Sequence, residues 1–136
     1  MRGILLDTCA VIWLGLGQRM KPSSLELIAD NAVDNQIFVS PFTAWELSLL
    51  SSRGRLNLGM DAANWLTDFL RRDGMALAHL PVSVLVAAHQ LPGAPPNDPA
   101  DRILIATARQ FGHAIVTRDR RILDYGDAGL VQTVTC

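Results

Sequence analysis

Residues 97–119, NDPADRILIATARQFGHAIVTRD, leave this chain little choice of architecture. Asp98 as N-cap, Pro99 at the first helical position and Asp101 in the first turn together make a helix start. Ile103 to Phe111 is apolar or small enough to bury against a sheet, and Gly112 ends the helix. Ala114-Ile115-Val116-Thr117 then reads as a strand that stops at Arg118-Asp119. A strand without polar alternation is covered on both faces, the condition of a parallel sheet between helix layers. The Asp119 carboxylate lies just past its C-terminal end, where open α/β sheets bind ligands.

The arrangement recurs at the start of the chain. Gly3-Ile4-Leu5-Leu6 is a continuous apolar run that stops at Asp7-Thr8, again a buried strand whose tip presents an acid. A short helix from Cys9 to Leu16 follows, and Ser23 or Ser24 is placed to cap a second helix through about Val33. Gln36 to Ser40 is the next strand, and Pro41 opens a helix that carries Trp45, Glu46 and Leu47. The amphipathic stretch Asp61 to Asp73 predicts a further helix, with Arg71 and Arg72 outward. Met75 to Leu80 reads as a strand, Val82 to Gln90 as a helix and Leu91 to Asn97 as a loop. After Asp119 come a helical turn at residues 122–124 and a last strand from Leu130 to Val134. The sum is one α/β domain over residues 1–136: a three-layer sandwich around a mainly parallel sheet of about five strands.

With 136 residues, 49% of them hydrophobic, the chain has material for one core without linkers or repeats. Its apolar runs are too short for a membrane span, and Met1-Arg2-Gly3 leads into a strand rather than a signal-peptide core, so a cytoplasmic protein is expected. Cys9 and Cys136 suit reduced thiols, and His79, His89 and His113 lack zinc-ligand spacing. Core packing is the expected role of Trp13, Trp45 and Trp65. A net charge of −1 gives no global pull on nucleic acid, although eleven Arg stand against one Lys. Genomic base composition explains such a bias equally well. Arg118, Arg120 and Arg121 stand out because they surround Asp119, and Arg118 and Arg120 are candidate phosphate contacts.

Acids at helix starts are ordinary capping chemistry, and Asp98 alone needs no other explanation. Asp101, one turn on, is less ordinary: the two Cβ atoms stand about 5–6 Å apart, awkward for like charges. Asp7, Glu46, Asp101 and Asp119, with Asp98 as a fifth, come to the same sheet edge from separate parts of the chain. Such a cluster is tolerable around hard divalent cations, since Mg²⁺ and Mn²⁺ prefer carboxylate oxygen and water and complete their shells with phosphates. Ions of this kind activate water and stabilise the leaving oxygen in phosphodiester hydrolysis. Because an N-cap carboxylate is already engaged with amides, Asp101 is preferred over Asp98 as ligand. A phospho-acceptor Asp wants a Lys at a later strand end, and the sole Lys is in an early loop. A haloacid-type phosphatase wants a second Asp where Cys9 stands. Gly15-Leu16-Gly17 lacks the third Gly of a dinucleotide site, and no P-loop is present.

Ile4-Leu5-Leu6-Asp7-Thr8, Ser40-Pro41 through Trp45-Glu46-Leu47, the run from Asp98-Pro99-Ala100-Asp101 to Ala106, and Val116-Thr117-Arg118-Asp119 resemble the PIN domain, specifically the VapC toxins of bacterial toxin–antitoxin pairs. The resemblance spans nearly the whole chain. It implies a Mg²⁺- or Mn²⁺-dependent endoribonuclease, a homodimer, and inhibition by a VapB-like antitoxin whose C-terminal segment covers the acidic site. By position, Asp7, Glu46, Asp101 and Asp119 take the roles of the acidic quartet, with Thr117 and Thr8 in support. Ala100 stands where the toxins usually carry an aromatic. The alternative is a catalytically weak module of the same fold that binds nucleic acid or a protein partner.

Overall fold

The computed structural model describes residues 3–136. Five strands, β1 (Ile4–Leu6), β2 (Ile37–Val39), β3 (Met75–Leu77), β4 (Ala114–Thr117) and β5 (Gln132–Thr135), form one sheet in the order β3-β2-β1-β4-β5. Every neighbouring pair is parallel, with Leu5 opposite Phe38 on one side and Ile115 on the other. Seven helices connect them among the described residues: α1 (Thr8–Gly15), α2 (Pro22–Ala32), α3 (Phe42–Ser52), α4 (Ala62–Leu70), α5 (Val82–His89), α6 (Pro99–Phe111) and α7 (Arg120–Asp127).

The uninterrupted apolar strands are explained by helix layers on both faces. On one face Ile4, Leu6, Val39 and Val116 pack with Val11, Ile28, Leu47 and Phe69, which come from α1 to α4. On the other, Leu5 and Ile115 meet Leu104, Ile105 and Ala108 of α6 and Ile122 and Tyr125 of α7. Burying side chains of this size contributes about 1.5–3 kcal/mol each. The three-layer parallel architecture expected from the sequence is the one observed.

Local expectations hold where capping decides them. Asp98 Oδ2 accepts from the Asp101 amide at 3.1 Å, and Gly112, at φ 73°, supplies the left-handed C-cap that turns the chain into β4. Others need correction. Lys21, not a serine, precedes α2, since Pro22 at the first position starts the helix early. Ser24 is buried instead, its hydroxyl donating to the Thr135 carbonyl at 2.9 Å and tying α2 to β5. β3 stops at Leu77, β5 begins two residues late at Gln132, and the turn foreseen after Asp119 is a full helix.

After β1 the chain builds β2 and β3 on one side, then crosses through α5 and α6 to add β4 on the other. β1 and β4 therefore flank the point where the connections diverge, and the crevice opens beyond their C-terminal ends.

Candidate active site

A cleft of about 460 Å³ lies at this edge, walled by Asp7, Glu46, Asp98, Asp101, Asp119, Arg118 and Arg121, with Thr8, Cys9 and Trp13 at its sides. All five sequence-predicted acids line it. Three are N-caps, because α1, α6 and α7 all begin here: Asp7 caps α1, Asp98 caps α6 and Asp119 caps α7.

Asp7 is only 6% exposed. Its Oδ1 accepts from the Ala10 amide at 2.7 Å and its Oδ2 from the Thr117 hydroxyl at 2.5 Å. Burial pushes its pKa up, the Thr117 and Ala10 hydrogen bonds oppose that, and Asp119 adds to it. Thr117 links two acids, since its oxygen also accepts from the Asp119 amide at 3.0 Å. Glu46, one turn into α3, takes a short hydrogen bond from the Thr8 hydroxyl to Oε1. Desolvation raises its pKa, with Asp98 and Asp7 adding to the effect against the Thr8 bond.

Asp101 differs from the rest. Its Oδ2 is buried without a hydrogen-bond partner, the nearest cation being Arg121 Nη2 at 3.7 Å. Desolvation, then Asp119 and Asp98, lift its pKa to about 7 against the pull of Arg121. A buried carboxylate oxygen without a donor is costly, and a cation is the group that relieves both the desolvation and the repulsion. Arg121 also donates to Asp119, from its amide at 2.9 Å and from Nη2 at 3.3 Å. Among the described residues no three Asp, Glu, His or Cys side chains stand gathered to hold an ion. Asp7, Glu46, Asp98 and Asp119 are turned instead to their own Thr, amide or Arg donors. The donor set nonetheless suits a hard divalent cation: it is all carboxylate oxygen, with one oxygen orphaned. Cys9 borders the cleft, but burial and the acids push its thiol up to about 11, which leaves it protonated.

The arginines part company. Arg118 lies over the Trp13 ring, its guanidinium carbon 3.8 Å from the centroid, and Nε donates to the Cys136 carbonyl at 2.8 Å. Arg120, a predicted phosphate contact, is bound to Asp124 at 2.8 Å and Asp127 at 3.1 Å and does not border the cleft. Arg121 takes the place beside the acids, and only the helical phase of α7 distinguishes it from its neighbour. Arg102 was invisible to motif reasoning. Its guanidinium donates to the carbonyls of Ala88, His89 and Pro96, at 2.9, 3.2 and 3.0 Å, fastening the end of α5 and the incoming loop to α6 next to Asp101. Of the tryptophans, Trp65 is core, Trp13 is half-buried under Arg118, and Trp45 is 57% exposed. His79 and His89 are exposed, and His113 is buried against the Phe38 ring.

Residues 4–128 match the PIN domain. The chain is 30% identical over 124 residues to Ribonuclease VapC22 of Mycobacterium tuberculosis (strain ATCC 25618 / H37Rv), covering 90% of this chain and 91% of that protein. Two of the solved structures that share the fold illustrate the likeness. One is VapBC2 from Rickettsia felis bound to a DNA fragment from its promoter, with TM-score 0.69, 14% identity and 97% coverage of both chains. The other is FitAcB from Neisseria gonorrhoeae, with TM-score 0.58, 22% identity and coverage of 96% of this chain and 95% of that one.

Proposed function

The chain belongs to the PIN domain family, and on that premise we propose that it is a divalent-metal-dependent endoribonuclease, the toxin of a toxin–antitoxin pair. A relative 30% identical over 124 residues is named Ribonuclease VapC22, and the fold is shared with VapBC2, whose structure is bound to a DNA fragment from its promoter. The observation that carries the catalytic reading is the acid cleft at the sheet's divergence point, with the unpartnered Asp101 Oδ2 inside it.

Asp7, Asp101 and Asp119 would hold Mg²⁺ or Mn²⁺, with Asp98 behind them. When bound, the ion supplies charge neutralisation at the scissile phosphate and activation of water. The protein does the rest. Thr117 fixes Asp7 against Asp119, and the Ala10 amide fixes the other Asp7 oxygen. Thr8 holds Glu46 by Oε1, which leaves Oε2 to accept the proton of the attacking water; burial has already raised its affinity for one. Arg121 is paired with Asp119 and Asp101, and with a cation on those carboxylates it would be free to meet the phosphate. A VapB-like antitoxin is the expected partner, a homodimer the expected assembly and the cytoplasm the expected place of action. No helix among the described residues is long and apolar enough to cross a membrane.

Purified protein is expected to cut RNA with Mg²⁺ or Mn²⁺ and to lose that activity in EDTA or as Asp7→Asn. Equal cutting in EDTA overturns the metal reading. Expression toxicity that persists in Asp7→Asn would favour the binding-module alternative.

A further inference from the structure

A bound ion and Arg121 would serve the scissile phosphate inside the cleft, but the acid walls still repel the flanking phosphates of a polyanion, and countercharge beside the cleft would offset that. Beside the cleft is a groove of about 640 Å³ whose surface is mostly apolar, with Met20 and Pro22 in its lining and Arg19, Lys21 and Arg118 as its basic members, and Arg118 lines both. Arg118 is held by the Trp13 ring on one face and by Cys136, whose main-chain oxygen accepts from Nε and whose thiol also meets the side chain, and it forms no ion pair with a carboxylate among the described residues. Arg19 and Lys21 are exposed, and neither side chain forms an ion pair or hydrogen bond among the described residues. Most other arginines are spent on carboxylates or carbonyls, as Arg72, Arg102, Arg109 and Arg120 are.

We propose that an RNA strand engaged in the cleft leaves it over the Arg118–Trp13 stack and lies in this groove, its phosphates meeting Arg118, Arg19 and Lys21. This rests on the ribonuclease reading. Arg118, shared by groove and cleft, would let one phosphodiester chain touch both, which favours a strand over an isolated anion. Its contacts are to backbone phosphate, so they set affinity and direction of the strand rather than base choice.

The test is steady-state cleavage of a labelled single-stranded oligoribonucleotide with Mn²⁺ across a salt series. It compares wild type, Arg19→Ala/Lys21→Ala, and Arg53→Ala/Arg55→Ala, which removes equal charge from exposed residues outside cleft and groove. The groove variant is expected to raise KM on the order of tenfold with kcat retained. Its slope of log KM against log salt should fall by about 1.4, the value for two lost single-strand phosphate contacts. The control pair should behave as wild type, and Mn²⁺ should raise the Tm of all three alike. Groove and control variants that match in KM and slope overturn the proposal while the ribonuclease reading stands. A wild type that cuts no RNA overturns both. Unchanged RNA kinetics with weakened capture of an acidic peptide would assign the groove to a protein partner and also overturn it.

Discussion

Asp101→Asn should make the metal-free protein more stable at neutral pH while weakening its response to metal. In the fold this carboxyl titrates at about 7 against an ordinary value of 3.8. Between those pH values the folded state binds more protons than the unfolded chain, so stability falls as pH rises from about 4 to 7 and returns on acidification. At 1.36 kcal/mol for each tenfold in proton affinity, the full displacement corresponds to about 4 kcal/mol above pH 7. Water in the open cleft screens the repulsion, and about half, ~2 kcal/mol, is the working expectation. The amide that replaces the carboxylate carries no charge to desolvate and leaves the Asp98 cap on its backbone N–H intact. For a domain of this size ~2 kcal/mol raises Tm by roughly 8 °C. Thermal melts in EDTA at pH 5 and pH 8 provide the assay. Wild type should be the more stable at pH 5, the direction in which burial also moves Asp7 and Glu46. The variant should exceed it at both, by roughly a third as much at pH 5 as at pH 8, because the loss begins near pH 4. Added Mn²⁺ should reverse the order, since a ligand at a hundred times its Kd stabilises the state it binds by about 2.7 kcal/mol. A variant less stable than wild type at pH 8 in EDTA, or a wild type that gains stability from pH 5 to 8 without metal, refutes the reasoning.

Three further perturbations probe the supports of the site. Arg102→Ala removes three bonds to backbone carbonyls and should cost about 2 kcal/mol, with hydrogen exchange faster in residues 91–97 than elsewhere. Unchanged exchange in that loop would show that the clamp is not what holds it. Thr117→Val deletes the bond that lowers the Asp7 pKa, so the acidic limb of the kcat/KM profile should move to higher pH; a limb that stays in place or moves down contradicts the assignment. Arg121→Ala takes away the cation that competes for Asp119 and Asp101, so calorimetric Mn²⁺ affinity should tighten a few-fold while KM for RNA rises.

How much of this was legible in the sequence depended on how local the physics was. Asp98, Pro99 and Gly112 announce α6 because capping acts within four residues, and the apolar runs at β1 and β4 announce burial on both faces. The end of β3 was not legible, because nothing within Met75 to Leu80 marks where pairing with β2 stops. Ser24 looked like a cap because its use, a bond to Thr135, lies 111 residues away. Arg120 and Arg121 could not be separated while residues 122–124 were read as a mere turn. Once α7 runs eight residues, Arg120 reaches Asp124 at i+4, and Arg121 falls on the cleft side.

The preference for Asp101 over Asp98 as ligand rested on the idea that a capping carboxylate is occupied. That idea does not survive as stated, since Asp7 and Asp119 cap helices too. Capping is instead how this fold gathers acids at tolerable cost. Three helices begin at the divergence point, and each cap spends one oxygen on an amide and gains from the positive end of the helix dipole. Asp101, in the first turn of α6, shares that dipole but has no amide to cap: its own amide is given to Asp98 and its Oδ2 is unpartnered. The repulsion of the assembled caps therefore falls hardest on Asp101, since Glu46, the other acid that is not a cap, has the Thr8 hydroxyl to offset it. That is where a cation gains most by binding, so Asp101 remains the preferred ligand on grounds of its missing partner rather than of Asp98's occupied one.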